Sequence, residues 1–321
     1  VDRMIVTVTA NPSLDRAMVL DAPLEVGIVQ AAASTREDAG GKGINVGRVI
    51  QAAGEETLAV LPLAQNDPFA ALLGETGLPF HAVPVHGHAR SNLTITDPAG
   101  VTTKLNLPGA ALRSGETDAL LAIIVAACED ADWLVLAGSL PQGMNVDFYV
   151  DVIVAVRARW GDAAPRIAVD TSGAPLRAVV ASGHPDLIKP NEHELADLAG
   201  VDAPTEDLLN AVLPIAASLV PDRVGAALIT LGGDGAVFVD GSGALLAPAP
   251  RIHVASTVGA GDSSLAGFLL ADVRGAAPSE CLASAIRYGA AAATLPGTQP
   301  PTSSDFPPGE IVVRRRSNPL T

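Results

Sequence analysis

The sequence predicts an α/β protein: a mostly parallel sheet with helices on both faces, plus a small second sheet. Three observations predict it. Short apolar strands alternate with longer helical segments along most of the 321 residues. The hydrophobic content is mainly Ala, Val and Leu, with aromatics at only 3 %, which suits buried parallel strands under close-packed helices. Two regions, about 16–36 and 91–106, interrupt the alternation with short extended stretches.

Strands are read from short continuous apolar runs and helices from longer segments with turn or capping residues at their ends. The first strand is Met4 to Thr9, and Ile44 to Ala53 is a helix stopped by Gly54. Leu58 to Leu63 is a strand and Asp67 to Glu75 a helix. A helix over Thr117 to Glu129 leads to a strand at Trp133 to Ala137, and a helix over Val146 to Arg159 to a strand at Ile167 to Asp170. Leu187 to Lys189 is a strand, Glu192 to Leu198 begins a helix, and Ala226 to Thr230 is a strand. Two late helices cover Asp262 to Val273 and Ser279 to Ala293. Within 91–106, Ser91 to Thr96 and Val101 to Leu105 flank the turn Asp97-Pro98-Ala99-Gly100, a hairpin whose Leu93 and Ile95 alternate with polar neighbours. The two irregular regions together read as a small lid sheet. One domain is expected over 1–300, followed by an exposed Pro- and Ser-rich tail over 301–321 that carries Arg314-Arg315-Arg316.

Charge narrows the function classes. With 35 acidic and 20 basic residues the chain carries a formal charge of -15, which argues against a sequence-independent nucleic-acid binder. Three of the basic residues are lysines, Lys42, Lys104 and Lys189, and the rest are arginines. The two cysteines, Cys128 and Cys281, show no C-x-x-C spacing, so no disulfide framework is expected and a reducing cytoplasm fits best. Mean hydropathy is high at +0.34. Yet the longest apolar run, Ala119 to Cys128, is about half the ~20 residues a membrane helix needs, so no membrane partner is expected. Val1 to Ala10 reads as a strand rather than a signal peptide.

Five constellations could carry chemistry. Thr257-Val258-Gly259-Ala260-Gly261-Asp262-Ser263 opens a helix with small residues whose N–H groups can converge on an anion, and Asp262 stands where a proton acceptor would serve an attacking hydroxyl. An Asp cap on a glycine-rich turn would look the same locally. Gly40-Gly41-Lys42-Gly43-Ile44-Asn45 opens another helix, permits close approach of a ligand and offers donors from Lys42 and Asn45. It lacks the G-x-x-x-x-G-K-[ST] spacing of a P-loop and fits the dinucleotide fingerprint poorly. Asp15 follows the first strand, at the sheet edge where open α/β sheets bind ligands, and can accept hydrogen bonds from sugar hydroxyls. Asn191 and Glu194, after Lys189-Pro190, sit three apart at a helix start, placed either to hold the water shell of Mg²⁺ or to form a capping box. Thr230-Leu231-Gly232-Gly233-Asp234-Gly235 is a glycine-rich turn that either cradles a nucleotide or turns a hairpin into Ala236 to Val239. Ser139 lies in a similar loop after the Trp133 strand.

Together and in this order, the motifs resemble the ribokinase-like, or PfkB, family of carbohydrate kinases, from about Ile5 to about Thr298. The glycine-lysine loop at 40–45 and the 256–262 segment carry most of the likeness, and the branch most similar is that of 1-phosphofructokinases, with tagatose-6-phosphate kinases and the minor 6-phosphofructokinases as siblings. The resemblance implies a three-layer α/β/α ribokinase-like fold with a β-sheet lid. It implies transfer of the γ-phosphoryl of ATP, with Mg²⁺, to fructose 1-phosphate. Asp262 would be the catalytic base, and the N–H groups of Gly259, Ala260 and Gly261 the anion hole. Asn191 and Glu194 would position Mg²⁺. Lys189, Thr230, Gly232, Gly233, Gly235 and Gly259 would contact ATP. Asp15, Gly40, Gly41, Lys42, Asn45 and Ser139 would hold the sugar. Arg90, just before the lid hairpin, would take the existing phosphate, assisted by Lys104. An exposed lid with apolar residues suggests a homodimer contact. Two other classes fit less well: a non-catalytic sugar-phosphate sensor, against which the intact Asp262, Asn191 and Glu194 speak, and an NADP-dependent oxidoreductase using Gly41, Gly43 and Gly47.

Overall fold

The computed structural model describes residues 3–204 and 206–316. Among them the strands, in chain order, are β1 (Met4–Thr9), β2 (Ser13–Leu20), β3 (Ala32–Gly40), β4 (Glu56–Leu63), β5 (Phe80–Pro84), β6 (Arg90–Thr96), β7 (Thr102–Asn106), β8 (Ala131–Ala137), β9 (Arg166–Asp170), β10 (Leu187–Ile188), β11 (Ala226–Thr230), β12 (Ala236–Asp240), β13 (Gly243–Ala247) and β14 (Arg314–Arg316). The helices are α1 (Lys42–Ala52), α2 (Phe69–Glu75), α3 (Ser114–Ala127), α4 (Phe148–Trp160), α5 (Gly173–Ala178), α6 (Glu192–Ala199), α7 (Leu208–Leu219), α8 (Ala260–Val273) and α9 (Pro278–Ala293).

Ten strands form the main sheet in the order β14-β13-β12-β11-β10-β9-β8-β1-β4-β5. The run from β5 to β11 is parallel, and β12, β13 and β14 extend it antiparallel. Strand alternation sorts the core into two layers. Val6, Val8, Leu134, Leu136, Ile167 and Val169 face helices α3 to α7, while Ile5, Trp133, Val135 and Ala168 face α1, α8 and α9. This is the expected three-layer α/β/α arrangement.

The second sheet has the order β3-β2-β6-β7 and covers the carboxyl ends of the central strands as the expected lid. Two of its strands reach beyond the sequence reading of 16–36: β2 begins at Ser13 and ends at Leu20, and β3 begins at Ala32 and ends at Gly40. Five further elements lie outside that reading, α5 and β13 among them. The α7 helix contains Pro214, which argues locally against a helix. The β5 strand, Phe80-His81-Ala82-Val83-Pro84, has no clean alternation but pairs with β4. Arg314–Arg316, expected in a free tail, pair antiparallel with Leu246 to Ala244 as the sheet's outermost strand. An exposed edge offers unpaired backbone groups to whatever chain lies beside it, and arginines there discourage further pairing.

Candidate active site

A cavity of about 750 Å³ lies between the carboxyl edge of the main sheet and the lid. Its lid wall follows from strand register. β2 pairs in parallel with β6 so that Ser13 stands opposite Arg90 and Asp15 opposite Asn92. Residues two apart share a face, so these four side chains project together, and all four line the cavity. Asn92 Nδ2 donates to Asp15 Oδ1 at 2.9 Å. Gly40 stands opposite Ser13 on the other side, and a Cβ there would overlap the Asp15 carboxylate. Glycine is therefore required for this approach. Burial pushes the Asp15 carboxyl above its ordinary value, against hydrogen bonds from Ser13 and Asn92 and the charge of Arg90. Burial likewise lowers the pKa of Arg90, and its Nε is buried without a partner.

The floor is made of helix N-termini, whose dipoles and free N–H groups favour anions. Thr9, at the end of β1, caps the first turn of α1 by accepting from Ile44 N at 2.9 Å. This fixes Asn45, whose Nδ2 donates to Asp262 Oδ2 at 2.7 Å on the first turn of α8. Gly259 precedes α8 with φ 78°, a left-handed conformation that admits glycine readily, and Gly259, Ala260 and Gly261 all line the cavity. Asp262 is 7 % exposed. Its pKa is pushed up to about 6 by burial and by the nearby Asp170 charge, against Lys42, Asn45 and Lys189. A carboxylate held there is ionised at neutral pH and basic enough to take a hydroxyl proton.

Between these helices lies a buried ion cluster. Asp170, the last residue of β9, is fully buried. Lys42 Nζ donates to its Oδ1 at 2.7 Å, and Lys189 Nζ lies 3.3 Å from its Oδ2. Burial opposes the Asp170 charge, but Lys189 and Lys42 outweigh it and hold the pKa below the ordinary value. Burial also opposes the Lys42 ammonium, yet Asp170, Asp262 and Glu194 hold its pKa above the ordinary lysine range.

At the α6 start the capping box forms. Asn191 Oδ1 accepts from Glu194 N at 2.8 Å, and Glu194 Oε2 accepts from Asn191 N at 3.0 Å. Glu194 Oε1 is left facing Lys42 Nζ at 3.9 Å. Among the described residues, no group of three or more His, Cys, Asp or Glu side chains could hold a metal ion. One carboxylate and one amide side chain are too few for a protein cage around a divalent cation, and would fit only the water shell of one that keeps its own waters. Thr230, Gly232, Gly233 and Gly235 line the far end, where Gly232–Asp234 form a single 3₁₀ turn between β11 and the antiparallel β12. The hairpin turn of the sequence reading is present there, and its glycines also face the cavity.

The structure thus gathers Asp15, Gly41, Lys42, Asn45, Arg90, Lys189, Asn191, Glu194, Thr230, the turn glycines and Gly259 to Asp262 around one space. Three expected site residues are not in its wall. Gly40 sits behind Asp15. Ser139 is exposed, and its Oγ accepts from Asn11 Nδ2 at 3.3 Å. Lys104 pairs with Thr94, on the same lid face as Arg90 but farther out, and is exposed. Asn92, Ser13 and Asp170 were absent from the sequence expectation. For Asp170 a signal existed: it is a charged residue ending an apolar strand, at the edge where parallel sheets bind ligands.

Residues 8–305 match the family described as pfkB family carbohydrate kinase. The chain is 37 % identical over 277 residues to the 1-phosphofructokinase of Xanthomonas campestris pv. campestris, covering 83 % of each chain. It is 36 % identical over 304 residues to the 1-phosphofructokinase of Rhodobacter capsulatus, covering 92 % of this chain and 93 % of that one. The crystal structure of phosphofructokinase-2 from Escherichia coli in complex with substrates and products superposes with a TM-score of 0.83 at 29 % identity, covering 95 % of this chain and 97 % of that one.

Proposed function

The chain belongs to the pfkB family of carbohydrate kinases, and on that premise we propose that it transfers the γ-phosphoryl group of ATP to the 6-hydroxyl of fructose 1-phosphate, giving fructose 1,6-bisphosphate. The observation that carries the reading is the placement of Asp262: a buried carboxylate, held by Asn45, on the first turn of a helix in a cavity whose other wall presents Arg90. The identities to 1-phosphofructokinases support the choice of acceptor.

In this reading Asp15 and Asn92 accept and donate hydrogen bonds to the sugar hydroxyls, and Arg90 pairs its guanidinium with the phosphate already on the sugar. That orientation leaves the far hydroxyl facing Asp262, which takes its proton as the oxygen attacks phosphorus. The N–H groups of Gly259, Ala260 and Gly261 receive the charge on the phosphoryl oxygens, a contribution of about 2.7–4 kcal/mol per donor in comparable anion holes. A bound Mg²⁺ would neutralise triphosphate charge, with Glu194 and Asn191 at its water shell. Most of the acceleration comes from positioning and charge stabilisation.

The lid supports a homodimer contact in the same reading: Val26 and Val29, between β2 and β3, are fully exposed, and Val19 and Leu105 on its strands are 44 % and 52 % exposed. Two buried free thiols, Cys128 and Cys281, fit a reducing cytoplasm. No helix among the described residues is long and apolar enough to cross a membrane.

The test is coupled ADP release with fructose 1-phosphate, fructose 6-phosphate, tagatose 6-phosphate and fructose. Fructose 1-phosphate should show the highest kcat/KM. A preference for any of the other three would overturn the acceptor assignment.

A further inference from the structure

The proton transfer to Asp262 leaves one costly feature of the floor unused. Asp170 is a fully buried carboxylate with two ammonium groups on it, from Lys42 at the start of α1 and Lys189 just past β10. A buried ion cluster contributes little to stability once desolvation is counted, so its upkeep points to another role. Three charges in the cluster sum to one positive charge, and the two ammonium groups point to different parts of the cavity. Lys42 Nζ stands 3.9 Å from Glu194 Oε1. Lys189 Nζ lies 3.3 Å from where a Cβ of Gly261 would be, beside the N–H groups of the α8 first turn. The pair therefore brackets the space between the Glu194 side and the anion hole, with Asp262 adjoining. The sugar-facing lid groups Asp15 and Asn92 bond to each other instead.

Resting on the kinase reading above, we propose that Asp170 is a positioning residue: it fixes Lys42 and Lys189 as a pair of cations for the phosphoryl group in flight, so that Lys42 serves phosphoryl transfer rather than the sugar. Lysine has a flexible four-carbon stem, and a free ammonium would sample many rotamers. Anchoring each Nζ to one oxygen of a buried carboxylate removes that freedom before substrate arrives and leaves the remaining N–H donors of each ammonium for phosphoryl oxygens. Asp170 also shapes the base. Its charge raises the Asp262 pKa, whereas Lys42, Asn45 and Lys189 lower it.

The test uses Asp170→Asn and Lys42→Met, singly and together, with whichever acceptor turns over best, so a wrong sugar assignment leaves it intact. Each single variant should lower kcat by about 10²-fold, the scale of losing a transition-state donor, while the acceptor KM stays within about threefold. The double variant should fall only about threefold below the weaker single, because the residues act as one unit. In Asp170→Asn the acid limb of kcat/KM should move to lower pH, since a negative charge facing Asp262 is gone. A merely structural role would not confine the loss to kcat in this way. Near-normal kcat in either variant, a rise in acceptor KM at constant kcat, or fully additive losses would overturn the proposal. Should Asp170→Asn fail to fold, Lys42→Met decides alone: a KM effect without a kcat effect refutes it.

Discussion

Asp262→Asn should lower kcat by about 10²–10⁴-fold, the range attributed to a positioned general base, and at pH 8 it should also raise thermal stability. The activity loss follows because the amide has no lone pair basic enough to take the hydroxyl proton, while the α8 turn and the Asn45 contact are kept: the Asn oxygen accepts from Asn45 Nδ2 as the carboxylate did. The gain in stability follows from linkage. Burial raises the folded pKa of Asp262 to about 6 from an ordinary 3.8. The folded state therefore binds this proton more tightly than the unfolded state. The stability that this proton confers is fully present below pH ~3.8 and is lost as pH rises through ~6, at 1.36 kcal/mol per pKa unit. At pH 8 the ionised side chain thus destabilises the fold, and the neutral amide removes that cost. Melting curves at pH 4 and pH 8 check the sign: the stabilisation should be present at pH 8 and nearly gone at pH 4. Near-normal kcat would remove Asp262 from its role, and a destabilised variant at pH 8 would mean that its charge is stabilised by its surroundings.

Arg90→Met should raise KM for fructose 1-phosphate by about 10²-fold, the worth of a charge-assisted bidentate contact, and change the weak turnover of unphosphorylated fructose little. The apolar stem is retained, so the start of β6 keeps its packing and its register beside Ser13. Arg90 Nε is buried with no partner, so a guanidinium donor there already awaits an anion. Steady-state kinetics with both sugars make the comparison. Equal losses on fructose and fructose 1-phosphate would show that Arg90 only supports the lid. Lys104→Ala, by contrast, should have little effect, because that side chain is exposed opposite Thr94, farther along the lid face than Arg90 and Asn92, and does not line the cavity.

What the sequence disclosed and what it hid divide along the range of the interactions. The apolar runs at Met4–Thr9, Trp133–Ala137 and Ala226–Thr230 are buried on both faces, so composition alone marks them as strands. Asp262 was visible because its turn, its glycines and its helix are contiguous. For Asp170 only the strand-end position is legible; its pairing with Lys42, 128 residues earlier, depends on the packing of α1 against the sheet. Lys104 shows the complementary limit: it lies on the same lid face as Arg90, but its depth along that face is set by pairing with Thr94 rather than with Asn92. Arg314–Arg316 carry no strand pattern at all and become a strand because β13 leaves an open edge. The lysines show the same division. Two of the three, Lys42 and Lys189, converge on one buried carboxylate, so this acidic chain keeps two compact cations at the floor of its cavity.

The most direct measurement is a ³¹P NMR spectrum of the products formed from ATP and fructose 1-phosphate. Transfer to the 6-hydroxyl predicts a second phosphomonoester signal, coupled to the C6 protons, that grows in step with ADP. Release of inorganic phosphate without a new ester, or an ester at another carbon, would contradict the account.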